Sequence, residues 1–342
     1  MTSVLVVNAG STSLKLSAVD EAGLSRTLAS LDDVPDDIVA VGHRVVHGGP
    51  AFRAPVLLDD RALGELRAVV DLAPLHNAPA LAAIDEARRA LPGLPHVAVF
   101  DTEFHGTIPR EASTYAVPER WRTQWHVRRY GFHGLAVQWA SEQVPADRLV
   151  VCHLGGGCSV SAVLHGRSVD TTMGFSPLEG VVMATRSGSL DPAAILYLLR
   201  REAGSLDEIE QALDRESGLL GLSGLSARVE ELERSAEEAS RLALDVYCYR
   251  ISREIGAMSV ALGGLEAIAF SGGVGEGSAL VRSRVCDRLG FLGAHLCDER
   301  NATAVPDVEI HRADSRVRLV VVRAREDVVA ARAVRGVLGK NL

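Results

Sequence analysis

Three turns rich in glycine or small polar residues are the parts of this sequence whose residue types could do chemistry. They occupy residues 8–13, 155–157 and 271–277, and each follows an apolar run. Glycine lets a backbone approach a bound group closely, and clustered N–H groups in such turns bind anions, most commonly phosphate. None of the turns matches the Walker pattern, and none is a complete dinucleotide fingerprint in a βαβ unit. The set indicates phosphate or nucleotide binding without specifying which nucleotide.

Charged and titratable side chains stand near these turns. Arg44 and Asp101 lie at the ends of apolar runs, and Arg186 follows a loop rich in glycine, threonine and proline. A guanidinium group grips carboxylate or phosphate with two hydrogen bonds, and phosphoryl transfer needs little beyond donors, a metal and alignment. Plainer interpretations stay open: the arginines as surface charges, Asp101 as a turn cap and His133 as a core histidine.

The segments around the first two turns predict β-hairpins. Residues 3–20 and 149–167 each contain an apolar run, a small-residue turn and an alternating return strand. We interpret the pair as an internal duplication with a cleft between the halves, and two unrelated hairpins are the alternative. Lys15, one of only two lysines, follows the first turn. A compact, flexible ammonium is favoured there over a planar guanidinium, unless its retention is chance.

Other local signals place the supporting elements. Capping boxes at Ser205 and Ser235 predict the starts of two helices. Residues 74–79 and 218–227 are rich in Pro, Asn, Gly or Ser, so we predict loops there. Residues 326–338 predict a terminal helix.

Bulk composition bounds the class of protein. A chain of 342 residues suits two domains. The net charge of −8 and the lack of a basic run with interleaved aromatics argue against nucleic-acid binding. No apolar stretch approaches ~18 residues, and no signal-peptide layout precedes the first strand, so we expect no membrane association. The five scattered cysteines form no CxxC motif, which predicts reduced thiols and a cytoplasmic location.

Eight sequence blocks carry a resemblance to a known family, and they occur in its order from end to end of the chain. The sequence resembles the acetate kinase family at residues 8–15 (NAGSTSLK), 42–49 (GHRVVHGG), 100–105 (FDTEFH), 128–134 (RRYGFHG), 153–157 (HLGGG), 173–180 (MGFSPLEG), 185–188 (TRSG) and 271–276 (SGGVGE). Eight ordered blocks are far more specific than any one of them.

The resemblance implies a fold and a reaction. The fold would be α/β, the duplicated actin, sugar-kinase and Hsp70-like (ribonuclease H-like) two-domain architecture with an active site in the interdomain cleft. Residues 1–145 with the terminal helix 326–342 would form one domain, and residues 146–325 the nucleotide-binding domain. The reaction would transfer the γ-phosphoryl group of ATP to acetate or propionate reversibly, giving the acyl phosphate and ADP, with Mg²⁺ or Mn²⁺. A homodimer is also implied.

The resemblance further implies a role for each matching position. Asn8 and Glu326 would bind the metal, and Arg44 would hold the substrate carboxylate. His133 and Arg186 would stabilise the transferring phosphoryl group, and Asp101 would be an essential acidic residue. An apolar pocket for the alkyl end would be formed by Val46, Leu75, Phe132 and Pro177. The nucleotide would be bound by Lys15, His153, Leu154, Gly155, Gly156, Gly157, Gly273, Val274, Gly275, Glu276 and Gly277.

Elementary chemistry agrees with those roles. A small carboxylic acid titrates near about 4.3, so it is ionised at pH 7 and needs no general base. We therefore expect Asp101 to orient an arginine or a metal-bound water. The difficulty of the reaction is that one anion attacks another, and positive groups in a water-poor site would offset that repulsion.

The sequence departs from the family on the nucleotide side. Gly156 and Gly277 stand where the family usually has asparagine, and Arg228 with Glu230 reverses the usual Asp-x-Arg pair. Three alternatives stay open, of which the departures favour the first and the third. They are a carboxylate kinase with another donor such as GTP or pyrophosphate, a sugar or polyol kinase of the same fold class, and a degenerate homologue that binds nucleotide without catalysis. Acetate and propionate are not distinguished either, since one methylene is worth only ~1–3 kcal/mol.

Overall fold

The computed structural model describes residues 2–9, 14–72 and 74–339, except for the side chains of residues 71 and 74–76. Its strands are β1 (Ser3–Ala9), β2 (Leu14–Val19), β3 (Ser25–Leu28), β4 (Ile38–Val45), β5 (Val56–Leu57), β6 (His96–Phe100), β7 (Arg148–Leu154), β8 (Cys158–Leu164), β9 (Arg167–Thr171), β10 (Ala267–Ser271), β11 (Val308–Glu309) and β12 (Arg318–Val321). Its α-helices are α1 (Asp60–Ala68), α2 (Pro74–Ala90), α3 (Arg110–Ser113), α4 (Glu119–Gln124), α5 (Gly134–Gln143), α6 (Pro192–Arg200), α7 (Leu206–Gln211), α8 (Gly218–Ser223), α9 (Val229–Arg234), α10 (Glu238–Ala261), α11 (Gly272–Gly277), α12 (Ala279–Cys286), α13 (Asp298–Ala302) and α14 (Glu326–Leu338).

Two sheets with the same topology confirm the internal duplication. The first has the strand order β3-β2-β1-β4-β6-β5, and the second has the order β9-β8-β7-β10-β12-β11. In each sheet an antiparallel hairpin and its continuation supply three strands, two parallel strands follow, and the last edge strand is antiparallel. Every strand of one sheet therefore has a counterpart in the other. Both predicted hairpins form, although residues 10–13 of the first turn lie outside the described residues.

The chain divides into two compact units. The first comprises Met1–Gly106, Phe132–Trp139 and Arg325–Leu342, and the second comprises Thr107–Gly131 and Ala140–Ala324. The terminal helix α14 belongs to the first unit. Residues 107–131 and 140–145 group with the second unit, whereas the sequence analysis assigns residues 1–145 to one domain, and that domain assignment stays a prediction.

The first sheet is buried on both faces, which is why its parallel strands are nearly continuous apolar runs. One face packs against α14, where Val328 and Val334 contact the side chains of β1, β4 and β6. The other face packs against α1 and α2, with Leu66 and Ile84 fully buried. A Cβ at Gly42 of β4 would lie 2.7 Å from Val334, so glycine permits this close approach of helix and sheet. The packing fixes α14 and therefore the position of its first residue.

The second sheet packs against the long helix α10. Tyr247 and Ile251 of α10 are buried, and the helix contacts β7, β8 and β9. Helix α12 packs against α10, where the hydroxyl of Ser252 donates to the backbone carbonyl of Val285 at 3.0 Å. No helix among the described residues is long and apolar enough to cross a bilayer.

Three local predictions were wrong. Residues 74–79 begin α2 instead of forming a loop: Pro74 occupies the first helical position, where proline is tolerated. Residues 218–223 form α8, packed on α10, because tertiary contacts override the weak helix propensity of glycine. Ser235 does not cap a helix through a capping box. Its hydroxyl accepts from the N–H of Glu237, and α10 begins at Glu238. The box at Ser205 is confirmed, with both reciprocal bonds present.

Candidate active site

The carboxyl ends of three neighbouring strands in the first unit bring polar residues together. Strands β1, β4 and β6 are adjacent and parallel, with Asn8 paired opposite Arg44 and Val45 opposite Phe100. Asp101 follows Phe100 directly. Carboxyl ends of parallel strands meet at one edge of a sheet, where open α/β sheets usually bind ligands. Three of the residues that the sequence singled out therefore lie side by side.

Arg44 is the centre of this cluster. It donates from Nε to Asp101 Oδ1 at 2.8 Å and from Nη2 to Asp101 Oδ2 at 2.6 Å. Its Nη1 donates to Asn8 Oδ1 at 3.1 Å and lies 3.3 Å from Glu326 Oε2. The Asp101 side chain is only 2% exposed and that of Arg44 17%. Burial alone would lower the pKa of Arg44, but Asp101 and Glu326 outweigh it and raise that pKa, so the guanidinium stays charged.

Glu326 reaches the cluster because it is the first residue of α14. The helix is anchored by its apolar face against the first sheet, as described above, and its amino end carries Glu326 to Arg44. The cluster thus joins positions 8, 44, 101 and 326, which are far apart in the sequence. Lys15 is also close to it, because β2 pairs Lys15 opposite Asn8. The Lys15 side chain is exposed.

His133 is held beside Asp101 through the backbone. It has a left-handed conformation with φ of 59° and immediately precedes α5. The N–H of Gly134 donates to the carbonyl of Asp101 at 2.8 Å. A Cβ at Gly134 would lie 2.2 Å from that carbonyl oxygen, so only glycine fits at this contact. The backbone next to His133 is therefore fixed against the backbone of Asp101.

The four residues expected to form the apolar pocket are not all brought together by the described contacts. Val46 follows β4 and is half-buried, and the ring of Phe132 packs edge-on against His47 with centroids 5.3 Å apart. Pro177 is buried in the second unit. The side chain of Leu75 lies outside the described residues. Of these four residues, Val46 and Phe132 lie near the carboxyl end of β4, the strand that contains Arg44.

In the second unit, the two glycine-rich turns lie against each other. Gly155 donates its N–H to the carbonyl of Gly157 at 3.0 Å and closes the tip of the β7–β8 hairpin. A Cβ at Gly155 would be 4.0 Å from the backbone nitrogen of Gly273. His153 pairs opposite Ser271, which ends β10. This pairing brings the second and third turns to one edge of the second sheet.

The third turn is itself the short helix α11. Gly272 has φ of 78° and lies under the carbonyl of Leu154, where a Cβ would be 2.6 Å away. Glu276 Oε1 accepts from the N–H of Gly272 at 3.2 Å and from the N–H of Ala324 at 2.9 Å. This carboxylate therefore fixes the shape of the turn. The backbone of Gly273 and Gly277 is exposed, Val274 is half-buried, and Gly275 is buried.

The side chains and backbone of the hairpin tip differ in exposure. Leu154 is fully buried, so it can take part in binding only through its backbone. His153 is 8% exposed. Gly156 lies at the exposed tip, and Gly155 and Gly157 are half-buried. The tip therefore presents mainly backbone groups, as expected of an anion-binding turn.

Arg186 lies in a loop attached to this tip. The N–H of Ala184 donates to the carbonyl of Gly156 at 3.2 Å, and the N–H of Ser187 donates to the carbonyl of Leu213 at 3.1 Å. Arg186 donates from Nε to Asp214 Oδ1 at 2.8 Å, and both side chains are largely buried. Asp214 therefore orients Arg186. Sequence reasoning missed it, because a separation of 28 residues gives no local signal.

The residues expected at a metal have the right chemistry. Asn8 and Glu326 supply amide and carboxylate oxygens, which Mg²⁺ and Mn²⁺ prefer. Over the described residues, no three or more His, Cys, Asp or Glu side chains form a group that could enclose a metal ion. The amide oxygen of Asn8 and the carboxylate of Glu326 fit Mg²⁺, which usually keeps several waters and binds one or two carboxylates together with substrate phosphates.

The duplicated fold, the anchored arginines and the glycine-rich turns define a phosphoryl-transfer protein of the actin and sugar-kinase fold class. Comparison with known proteins narrows this class. A sequence profile of the acetokinase family matches residues 22–332. Acetate kinase of Deinococcus radiodurans is 45% identical over 334 residues, covering 93% of this chain and 84% of its own. Acetate kinase of Pseudothermotoga lettingae is 41% identical over 330 residues, covering 93% and 81%. The chain belongs to the acetokinase family.

Solved structures agree with the fold. A propionate kinase from Francisella tularensis is 31% identical and superimposes with a TM-score of 0.90, covering 97% of this chain and 99% of its own. Acetate kinase of Porphyromonas gingivalis is 30% identical with a TM-score of 0.87, covering 99% and 100%. The fold class predicted from the sequence blocks is confirmed.

Proposed function

We propose that the protein transfers the γ-phosphoryl group of ATP to acetate or propionate, forming the acyl phosphate and ADP reversibly. Membership of the acetokinase family makes it a phosphotransferase with a carboxyl group as acceptor. The observation that carries the proposal is Arg44, fixed by Asp101 at the carboxyl ends of β1 and β4. A preoriented guanidinium is the group best suited to hold a small planar carboxylate.

Arg44 has the donors for this task. A guanidinium carries five N–H groups; Asp101 and Asn8 accept hydrogen bonds from three of them, and Glu326 forms an ion pair with Nη1. Among the residues that the structure describes, the second N–H of Nη2 is not used by these three side chains and is available to a substrate carboxylate. The contact with Glu326 is the longest, so it is the one most easily exchanged. The two hydrogen bonds to Asp101 fix the plane of the guanidinium, so the remaining N–H on Nη2 has a fixed direction.

Asp101 acts by orientation in this proposal. The carboxylate substrate is ionised at neutral pH and needs no base. Asp101 accepts two hydrogen bonds from Arg44 and holds its charge in place. Its backbone carbonyl anchors Gly134, so the same residue also positions His133. We assign to His133 and Arg186 the stabilisation of charge on the transferring phosphoryl group, for which Asp214 preorients Arg186.

The glycine-rich turns are proposed to bind the nucleotide. Exposed backbone at Gly156, Gly273 and Gly277 supports this role. We assign the surrounding stretches 153–157 and 273–277 to the same site, with Glu276 acting through the shape of the turn. Lys15 is proposed to neutralise nucleotide phosphate, which its exposed ammonium group suits.

Asn8 and Glu326 are proposed to hold Mg²⁺, with Mn²⁺ as a substitute. When bound, the ion would neutralise phosphate charge and align the phosphoryl group. Val46 and Phe132 are proposed to contact the alkyl end of the substrate, and the roles of Leu75 and Pro177 stay predictions. No observation favours another donor or a non-catalytic role. Arg228 lies 3.4 Å from both Glu230 and Glu231, so the reversed pair is satisfied internally.

We propose that the protein is a cytoplasmic homodimer. The five cysteines are free thiols, which suits a reducing compartment. Helix α6 is strongly apolar, yet none of its residues is buried, and Leu196 and Tyr197 are 52% and 56% exposed. A contiguous exposed apolar surface of this kind marks a protein interface, and a second copy is the partner the family implies. Sedimentation of the wild-type protein and of Leu196→Arg tests this proposal. We expect the wild type to be a dimer and Leu196→Arg to be a monomer, and a monomeric wild type would contradict the proposal.

Acyl-phosphate formation tests the reaction. The protein is assayed with acetate, propionate and butyrate against ATP, GTP and pyrophosphate, each with Mg²⁺. We expect turnover with ATP and the two smaller acids, and about a 10²–10³-fold loss of kcat/KM for Arg44→Ala. Arg61→Ala, a change at an 85% exposed arginine of the same unit, is the matched control and should be silent. Lack of acyl phosphate with every pair of substrates would overturn the proposal.

A further inference from the structure

Arg282 of α12 is the largest fully buried side chain of the described residues, at 1% exposure. Its Nε donates to Asn301 Oδ1 at 2.7 Å, and Nη2 donates to the Asn301 carbonyl at 3.0 Å. Its Nη1 donates to the carbonyls of Gly275 at 2.9 Å and Glu276 at 2.8 Å. None of these partners is a carboxylate. A buried charge without a counter-ion is costly, so a simple stabilising role explains this arginine poorly.

The two carbonyls that Nη1 holds belong to α11. Four of the six residues of this helix are glycine (GGVGEG), and glycine is among the poorest helix formers. So short a helix also leaves several carbonyls without a helical partner. Arg282 satisfies two successive carbonyls and places a positive charge at the carboxyl end of the helix dipole. The guanidinium therefore compensates for the glycines that leave the backbone of this turn exposed.

The clamp has further supports. Asn301 is buried in α13, and its Nδ2 donates to the carbonyl of Ala279 at 2.8 Å, so it fixes both the guanidinium and the start of α12. At the other end of α11, Glu276 accepts from the N–H groups of Gly272 and Ala324. Side chains thus fix both ends of α11. Glu276 belongs to this helix, whereas Arg282 belongs to α12.

We propose that Arg282 is a positioning residue for the phosphoryl donor: it holds the Gly273–Gly277 backbone in its binding shape through the carbonyls of Gly275 and Glu276. It does not touch the nucleotide itself. The inference rests on the proposed function, since it assumes that this turn binds the donor. It predicts that loss of the clamp weakens donor binding while the acetate side, which is built on the first unit, is unaffected.

Steady-state kinetics of Arg282→Met, Arg282→Lys and Asn301→Leu test the proposal. We expect the KM for ATP to rise tenfold or more in Arg282→Met and less in the other two, with the KM for acetate within twofold of wild type. Arg284→Met is the matched control, because Arg284 lies on the same helix but pairs with Asp245 at the surface. A KM for ATP within twofold of wild type in all folded variants would overturn the proposal.

Hydrogen exchange of residues 272–277 provides a readout that needs no activity. Faster exchange of these amides is expected in Arg282→Met and Asn301→Leu, with unchanged exchange in Arg284→Met. If wild-type protein makes no acyl phosphate, the proposed function fails but the clamp is still tested by exchange. If Arg282→Met does not fold, Arg282→Lys and Asn301→Leu decide the matter. Unchanged exchange in folded variants would contradict the clamp.

Discussion

Replacing Asp101 by asparagine should separate the contribution of the Arg44 pair from that of side-chain shape. Asparagine keeps one oxygen acceptor but removes the charge and turns the second acceptor into a donor facing Nη2 of Arg44. A hydrogen bond to a charged group contributes about 1.5–3 kcal/mol, and breaking a buried ion pair costs about 3–5 kcal/mol. Arg44 retains Asn8 at 3.1 Å and Glu326 at 3.3 Å. We therefore expect the free energy of unfolding to fall by about 2–3 kcal/mol.

The same substitution should lower activity through a loosened guanidinium. If the transition state loses the full stabilisation of this hydrogen bond, about 1.5–3 kcal/mol, kcat/KM falls roughly 10- to 150-fold. The matched control is Asp85→Asn. Asp85 also accepts two bonds from one arginine, Arg67 Nη2 at 3.0 and 3.2 Å, but this pair is about half exposed. Exposed pairs contribute about 0–1 kcal/mol, so the control should lose little stability and no activity.

Urea unfolding and acyl-phosphate assays of both variants measure these effects. Asp101 neither stabilises the fold through Arg44 nor orients this arginine if Asp101→Asn has at least the free energy of unfolding of Asp85→Asn and keeps wild-type kcat/KM. A loss of stability with full activity would separate the two claims, and the orienting role of Asp101 would then be wrong.

Three further predictions follow from burial and space. Burial raises the pKa of Glu103 to about 7, so the free energy of unfolding falls as the pH rises from about 4.5 to 7. In urea unfolding, Glu103→Gln should therefore be more stable than wild type by about 1 kcal/mol at pH 8, after allowance for solvent screening, and equally stable at pH 4. Burial and, to a smaller extent, His96 lower the pKa of His43 to about 3, so the free energy of unfolding falls as the pH drops below 6.5. About 3 kcal/mol should be lost between pH 6.5 and 4, and in His43→Phe the free energy of urea unfolding should depend much less on pH in this range. A Cβ at Gly156 or Gly277 meets no atom within 4 Å, so Gly156→Asn and Gly277→Asn should fold normally. Each should lower the KM for ATP by about 2- to 10-fold, which corresponds to one neutral hydrogen bond. An unchanged KM would contradict the assignment of these turns to nucleotide binding.

Much of the fold was predictable because the informative signals are local. The two hairpins are visible as alternating runs around small turns, and the helix over 326–338 follows from its period. The duplication of the remaining strands was not readable from single segments. It became clear from pairing order, since the edge strands β5 and β11 have only two residues each.

The errors arose where tertiary contacts decide. Asn77 looked like a loop residue, yet its side chain accepts from the N–H of His47 and donates to the carbonyl of the same residue, which anchors α2. Composition cannot reveal such a contact across 30 residues. The same holds for the contacts of Asp214 with Arg186 and of Arg282 with Asn301, which join residues 28 and 19 positions apart. Strand-end positions gave Arg44 and Asp101, but the side chains that orient the arginines come from the three-dimensional structure.

The charge balance of the Arg44 cluster has a consequence for substrate binding. Asp101, Glu326 and Arg44 together carry a formal charge of −1, so Glu326 weakens the attraction of Arg44 for a carboxylate substrate, and positive charge from Lys15 or a metal ion would offset this effect. Two unit charges about 4 Å apart interact by about 1 kcal/mol in water and about 4 kcal/mol near a protein surface. Glu326→Gln should therefore raise the affinity of the metal-free protein for acetate at least fivefold, measured by calorimetry without nucleotide. It should also remove most of the dependence of acetate affinity on Mg²⁺. Unchanged affinity in this variant would mean that Glu326 is electrostatically silent toward the substrate, and that Arg44 alone sets the binding of the carboxylate.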